Sequence, residues 1–197
     1  MAPSSFGSSV PLFGKPKVPQ SLPPERAAEV ERLGKEALLL EVRLDRPITK
    51  NSLFLELHIP FDLLDPVTRA ISREVRMDLR ALGTREREDL ERESHDLIVR
   101  GLAERAKVIE KRGLTLADVA ALSPPERSLA DLQRLFGYMR AVLELKDLPP
   151  RMLMPSEVSR LLPRAVALPP EERTPFRLVR DLGVGLYTAR LVKAALG

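Results

Sequence analysis

Two short runs alternate apolar and polar positions with period two. In Ala37–Leu44 the residues Leu38, Leu40, Val42 and Leu44 fall on one face, and in Leu53–Ile59 the residues Leu53, Leu55, Leu57 and Ile59 do the same. Such alternation predicts half-buried strands. The connection Asp45–Ser52 contains Pro47 and Asn51 and suits a hairpin. We therefore expect one N-terminal β-hairpin over residues 37–59, with edges open to a strand from another chain.

The rest of the pattern has helical period. A first helix is expected from Pro23 to Lys35, with proline in its first turn. The set Val67, Ile71, Val75, Leu79 and Leu82 predicts a helix over 67–82, which Gly83 stops and Thr84 restarts. A charged helix then runs to Arg112, with Gly101 inside it at a cost in stability unless a neighbour packs close. The piece Leu114–Leu122 follows. Ser123-Pro124-Pro125-Glu126 reads as a capping box that opens a helix to Lys146, with Leu129, Leu132, Phe136, Met139 and Leu143 inward. Pro-Pro-Glu recurs at 23–25, 124–126 and 169–171 at unequal spacings, which we read as one helix-start device used three times.

Two segments differ in texture. Residues 1–22 carry Pro3, Pro11, Pro16 and Pro19 among Ser and Gly with no period, and read as an extended arm in which Phe6, Val10, Leu12 and Phe13 would anchor a partner. Beyond position 150, Pro155, Pro163, Pro169, Pro170 and Pro175 cut the chain into short helices. The expected fold is mainly α: a multi-helix scaffold over 23–150 with the one hairpin, and a small tri-helical subdomain over 151–197.

Composition narrows the chemistry. The 197 residues include no Cys, which excludes disulfides and thiolate sites, and only two His, which argues against a His-rich metal centre. Aromatic residues are 4% and Trp is absent, thin for a base-stacking platform. Asn and Gln are scarce, as in thermophile proteins. No apolar run is long enough to span a membrane, and the first twenty residues lack the order of a secretory signal. A cytoplasmic protein is expected, or a virion component such as a phage subunit. The net charge of +4 resides in the last 47 residues, where eight basic side chains face four acidic ones. That asymmetry points to a polyanionic partner.

The most specific motif is Thr174–Gly197. Thr174-Pro175 starts one helix, Gly183 supplies a turn with positive φ, Val184 plugs the core, and Ala189 and Val192 face inward on a second helix. This segment resembles a helix-turn-helix, which implies DNA contact through the second helix. The resemblance places Leu186, Tyr187, Arg190 and Lys193 toward the groove and Arg177 and Arg180 near phosphates. Gly183-Val184-Gly185 followed by Thr188-Ala189 also resembles a helix-hairpin-helix, which would bind phosphate through backbone N–H groups of the turn.

A second basic feature is Arg69, Arg73, Arg76 and Arg80, which on a helix would fill one sector about 60° wide and span roughly 16 Å. It suits a phosphate backbone or an acidic partner, or else it is a solvated face neutralised by Glu86, Glu88, Asp89, Glu91 and Glu93. Ser94-His95-Asp96 does not make a triad, because adjacent helical residues point apart. His58 has no second ligand in reach, and no phosphate loop or nucleophile elbow is present. We expect no catalysis, no metal and no cofactor. The expected function is a nucleic-acid-binding protein contacting DNA through its C-terminal helices. The alternative is a structural or assembly subunit, homo-oligomeric or bound to another protein through the arm and the hairpin edge.

Overall fold

The hairpin does not exist. A computed structural model describes residues 22–145 and 156–197, and these contain helices and no strand. The first predicted strand is the second half of α1 (Pro24–Leu44), and the second lies in α2 (Lys50–Leu57). Helix α1 buries Val30, Leu33, Gly34, Ala37, Leu38 and Leu40, a helical sequence of positions on more than one face. Leu55, counted inward for the strand, is 66% exposed. With no strand there is no edge to pair.

The first three helices form a layer of their own. Arg26 donates to Asp62 at 2.6 Å near the starts of α1 and α3 (Phe61–Ile71), and Gly34 lies beside Ile71 further along, so these two helices run parallel. Helix α2 returns antiparallel to α3, with Lys50 against Asp65 at 2.5 Å and Phe54 against Phe61. Val30, Leu33, Ala37, Leu53, Ile59, Leu63, Leu64 and Val67 close this smaller core.

The predicted helix over 67–82 ends at Ile71. The Nε2 of Gln133 donates to the Ala70 carbonyl, which the next helical turn would otherwise have used. The chain then runs irregularly to Gly83 along α7 (Leu129–Leu143). Gly137 permits this, since a Cβ there would come within 2.7 Å of the Val75 carbonyl oxygen.

The charged helix over 84–112 is also broken. Helix α4 (Thr84–Leu97) passes into a π-helical turn at Ile98–Leu102, and α5 (Ala106–Arg112) begins anew. Gly101 is non-helical there, and a side chain on it would meet Leu122 at 2.9 Å. Thr115 and Asp118 form a capping box that starts α6 (Leu116–Leu122). The one predicted at Ser123–Glu126 is absent. Helix α7 starts later, where the Ser128 hydroxyl accepts the Asp131 N–H at 3.1 Å. Of the three Pro-Pro-Glu segments, the first opens α1 and the third makes a single 3₁₀ turn at Pro170–Glu172.

Helices α8 (Ser156–Val166), α9 (Pro175–Leu182) and α10 (Leu186–Leu196) supply the three C-terminal helices. The arm up to position 21 and the proposed boundary near 150 lie outside the described residues. One buried core takes in Leu38, residues of α4 to α7, and Phe176, Leu178, Leu186 and Val192.

Candidate functional site

Helices α9 and α10 meet through Gly183, whose φ of 70° is the left-handed conformation expected of the turn. The Thr174 hydroxyl caps α9 by accepting the Arg177 N–H at 3.3 Å. Val179, Leu182, Ala189 and Val192 are buried as expected, and Val184 is half-buried against the core. Leu186, placed toward a groove by the resemblance, is 0% exposed and belongs to the core.

The turn is already occupied by an anion of the protein itself. Glu91 reaches from α4, and one of its carboxylate oxygens accepts the Tyr187 N–H at 2.9 Å in the first turn of α10. Its other oxygen accepts the Tyr138 hydroxyl from α7. A Cβ on Gly185 would collide with the same carboxylate. The two glycines of Gly183-Val184-Gly185 thus have separate reasons, backbone conformation at the first and room for Glu91 at the second. A carboxylate at a helix N-terminus makes the electrostatic contact that a bound phosphate would make.

The cations predicted to meet phosphate are mostly engaged within the chain. Arg177 pairs with Glu172 at 2.6 Å and Asp181 at 3.5 Å. Arg180 pairs with Asp181 at 2.9 Å and with Glu104, which hold its guanidinium above its ordinary pKa. Arg190 donates to the carbonyls of Leu143 and Leu145 at 3.2 and 3.1 Å. Tyr187 lies under Arg87, whose guanidinium carbon is 4.5 Å from the ring centre. Thr188 lines a shallow cleft of about 530 Å³ with Arg87, Glu91, His95, Tyr138 and Tyr187. Lys193 lies beside Phe176, Ile109 and Leu143 in a second cleft of about 370 Å³ and has no ion partner among the described residues.

The cleft around Glu91 gathers both tyrosines of the chain and one of its two histidines. Burial, and then the Glu91 carboxylate, push the Tyr138 phenol well above its ordinary pKa, so it stays a neutral donor. Ser94 is buried and donates to the Glu91 carbonyl at 2.8 Å, whereas Asp96 is exposed, so Ser94, His95 and Asp96 do not converge. His58 is the left-handed C-cap residue of α2. Among the described residues no group of His, Asp and Glu gathers to hold a metal ion, and no helix is long and apolar enough to cross a membrane.

The arginine stripe is not on one helix. Arg69 lies in the last turn of α3, and Arg73, Arg76 and Arg80 follow on the irregular α3–α4 connection. All four are exposed.

Sequence reasoning missed the most exposed apolar cluster among the described residues. Phe61 is 77% exposed, Leu55 66% and Phe54 40%, and the two rings meet at a tilt of 38° with centroids 4.7 Å apart. They crown the corner where α2 turns into α3. The signal was the run Leu53-Phe54-Leu55, which is too apolar for one buried face of so short a helix. Comparison with known proteins finds no matching family model, no matching curated protein and no matching solved structure.

Proposed function

We propose that this chain is a non-enzymatic assembly subunit that associates with a second copy of itself through the α2–α3 corner. The observation that carries this reading is the tilted Phe54–Phe61 ring pair with Leu55, exposed on the surface beside the smaller core. An exposed cluster of large apolar side chains marks an interaction surface. Its flanks suit a like surface. Arg26–Asp62 and Lys50–Asp65 each present both signs, and all four side chains are more than half exposed. Two copies related by a two-fold axis can then exchange ion partners without opposing like charges. Each large side chain contributes about 1.5–3 kcal/mol when fully buried, against association costs of about 4–15 kcal/mol. The two terms are of similar size, so the expected dimer is weak.

DNA binding through the C-terminal helices draws less support. Glu91 fills the turn, and Arg177, Arg180 and Arg190 are held by carboxylates or carbonyls.

Sedimentation equilibrium across a concentration series tests the assembly reading. The native chain should show a monomer–dimer equilibrium, and Phe54→Ser with Phe61→Ser should be monomeric with an unchanged circular dichroism spectrum. A native chain that stays monomeric at the highest concentration, or a double variant that still dimerises, overturns it.

A further inference from the structure

The α3–α4 connection carries a function that the assembly reading does not use. We infer that it is a contact surface for a nucleic-acid backbone. Over residues 72–80 the half-buried side chains are Val75, Met77 and Leu79, and the last two pack against the main core. The exposed ones include Arg73, Arg76 and Arg80, with Arg69 one turn before them and Arg85 just after. Among the described residues none of these five arginines has a carboxylate within ion-pair distance, unlike Arg177 and Arg180, and only Arg69 is held by a carbonyl, that of Asp65 at 3.3 Å. The acids of the same stretch, Glu74 and Asp78, are exposed too, but each has a partner within the chain. Glu74 lies 3.7 Å from Arg140, and Asp78 accepts the Arg80 backbone N–H at 2.9 Å.

Two properties suit a phosphate backbone, and a third, the lack of an apolar centre, favours nucleic acid over an acidic protein. All five cations are arginines, whose planar forks match phosphate oxygens. The apolar side chains Val75, Met77 and Leu79 turn inward, so the outer face lacks the apolar centre of a protein interface. The connection from Arg73 to Arg80 is not helical, and its three arginines are exposed along its length. Contacts of this kind grip the backbone and carry no sequence preference.

The test is fluorescence anisotropy with a labelled DNA duplex over a salt series. With four phosphates contacted, by Arg73, Arg76, Arg80 and Arg85, the slope of log K against log salt for the native chain is about −3.6. Arg73→Gln, Arg76→Gln and Arg80→Gln together should lower its magnitude by about 2.7, and lysine at the same positions should retain most of it. Arg190→Gln with Lys193→Gln should leave it unchanged. Circular dichroism confirms that each variant is folded. The inference fails if the native chain does not bind duplex at low salt. It also fails if the triple glutamine variant keeps the native slope, or if polyglutamate competes as well as the duplex does.

Discussion

Replacing Glu91 should loosen the whole C-terminal unit. Its carboxylate receives two hydrogen bonds from residues distant in sequence, the Tyr187 N–H at 2.9 Å and the hydroxyl of the fully buried Tyr138. Hydrogen bonds to a charged group contribute about 1.5–3 kcal/mol each, and a negative charge at a helix N-terminus adds about 0.3–1 kcal/mol. Discounting for the part-exposed position of Glu91, Glu91→Ala should cost about 3 kcal/mol, or roughly 6–12 °C in Tm for a chain of this size. Gly185→Ala supplies the decisive control. The backbone of Gly185 (φ −69°, ψ 162°) is open to alanine, so the nearest obstacle among the described residues is the Glu91 carboxylate. Displacing that carboxylate breaks both hydrogen bonds, so Gly185→Ala should cost about 2 kcal/mol in the native chain and almost nothing beside Glu91→Ala. Urea unfolding of the four proteins measures the coupling. Additive costs, within about 0.5 kcal/mol, would refute the claim that Glu91 clasps the turn.

Three further outcomes follow from the packing. Asp118 is buried and meets Arg105 at 2.9 Å and both terminal nitrogens of Arg112 at 2.8 and 2.9 Å. Burial pushes its carboxyl up, but the bonds from Arg112 and Thr115 prevail and hold it below the ordinary Asp value. Its stabilising contribution is present above the unfolded pKa of about 3.9 and is lost as pH falls through the depressed folded value. Asp118→Asn should cost about 3–5 kcal/mol near neutral pH, and urea midpoints at a series of pH values should show that deficit shrinking in acid. Gly137→Ala must push the Val75 carbonyl aside and should cost about 1–3 kcal/mol, with faster amide exchange over residues 72–83. Ser128→Ala removes the α7 N-cap and should cost about 1 kcal/mol in urea unfolding.

The helix pair α9–α10 was legible because its signals are local: a capping threonine, proline in the first turn, a glycine at the bend and inward residues at helical spacing. The false hairpin arose where two faces of one helix are both buried. Ala37 belongs to the smaller core and its neighbour Leu38 to the larger one, so the end of α1 mimics alternation. In α2 the exposed Leu55 completed the second apparent strand, and the same residue belongs to the exposed α2–α3 corner. The run from Val67 to Leu82 fits both periods. The outcome turned on Gln133, 63 residues from the Ala70 carbonyl it captures, a partner that no local pattern announces. The Glu91–Tyr187 contact, 96 residues apart, is equally hidden. The arginines at 69–80 were visible as residues, but their geometry was not, because it depends on where α3 stops.

Helix α1 acts as a shared wall. Val30, Leu33 and Ala37 seal one compartment while Leu38 faces the other, and α1 packs on both α3 and α6. Neither compartment closes without it, so peeling the N-terminal layer away would open the larger half as well. The protein should therefore melt in one step, and clamping the α2–α3 corner to another copy should slow hydrogen exchange as far away as α6.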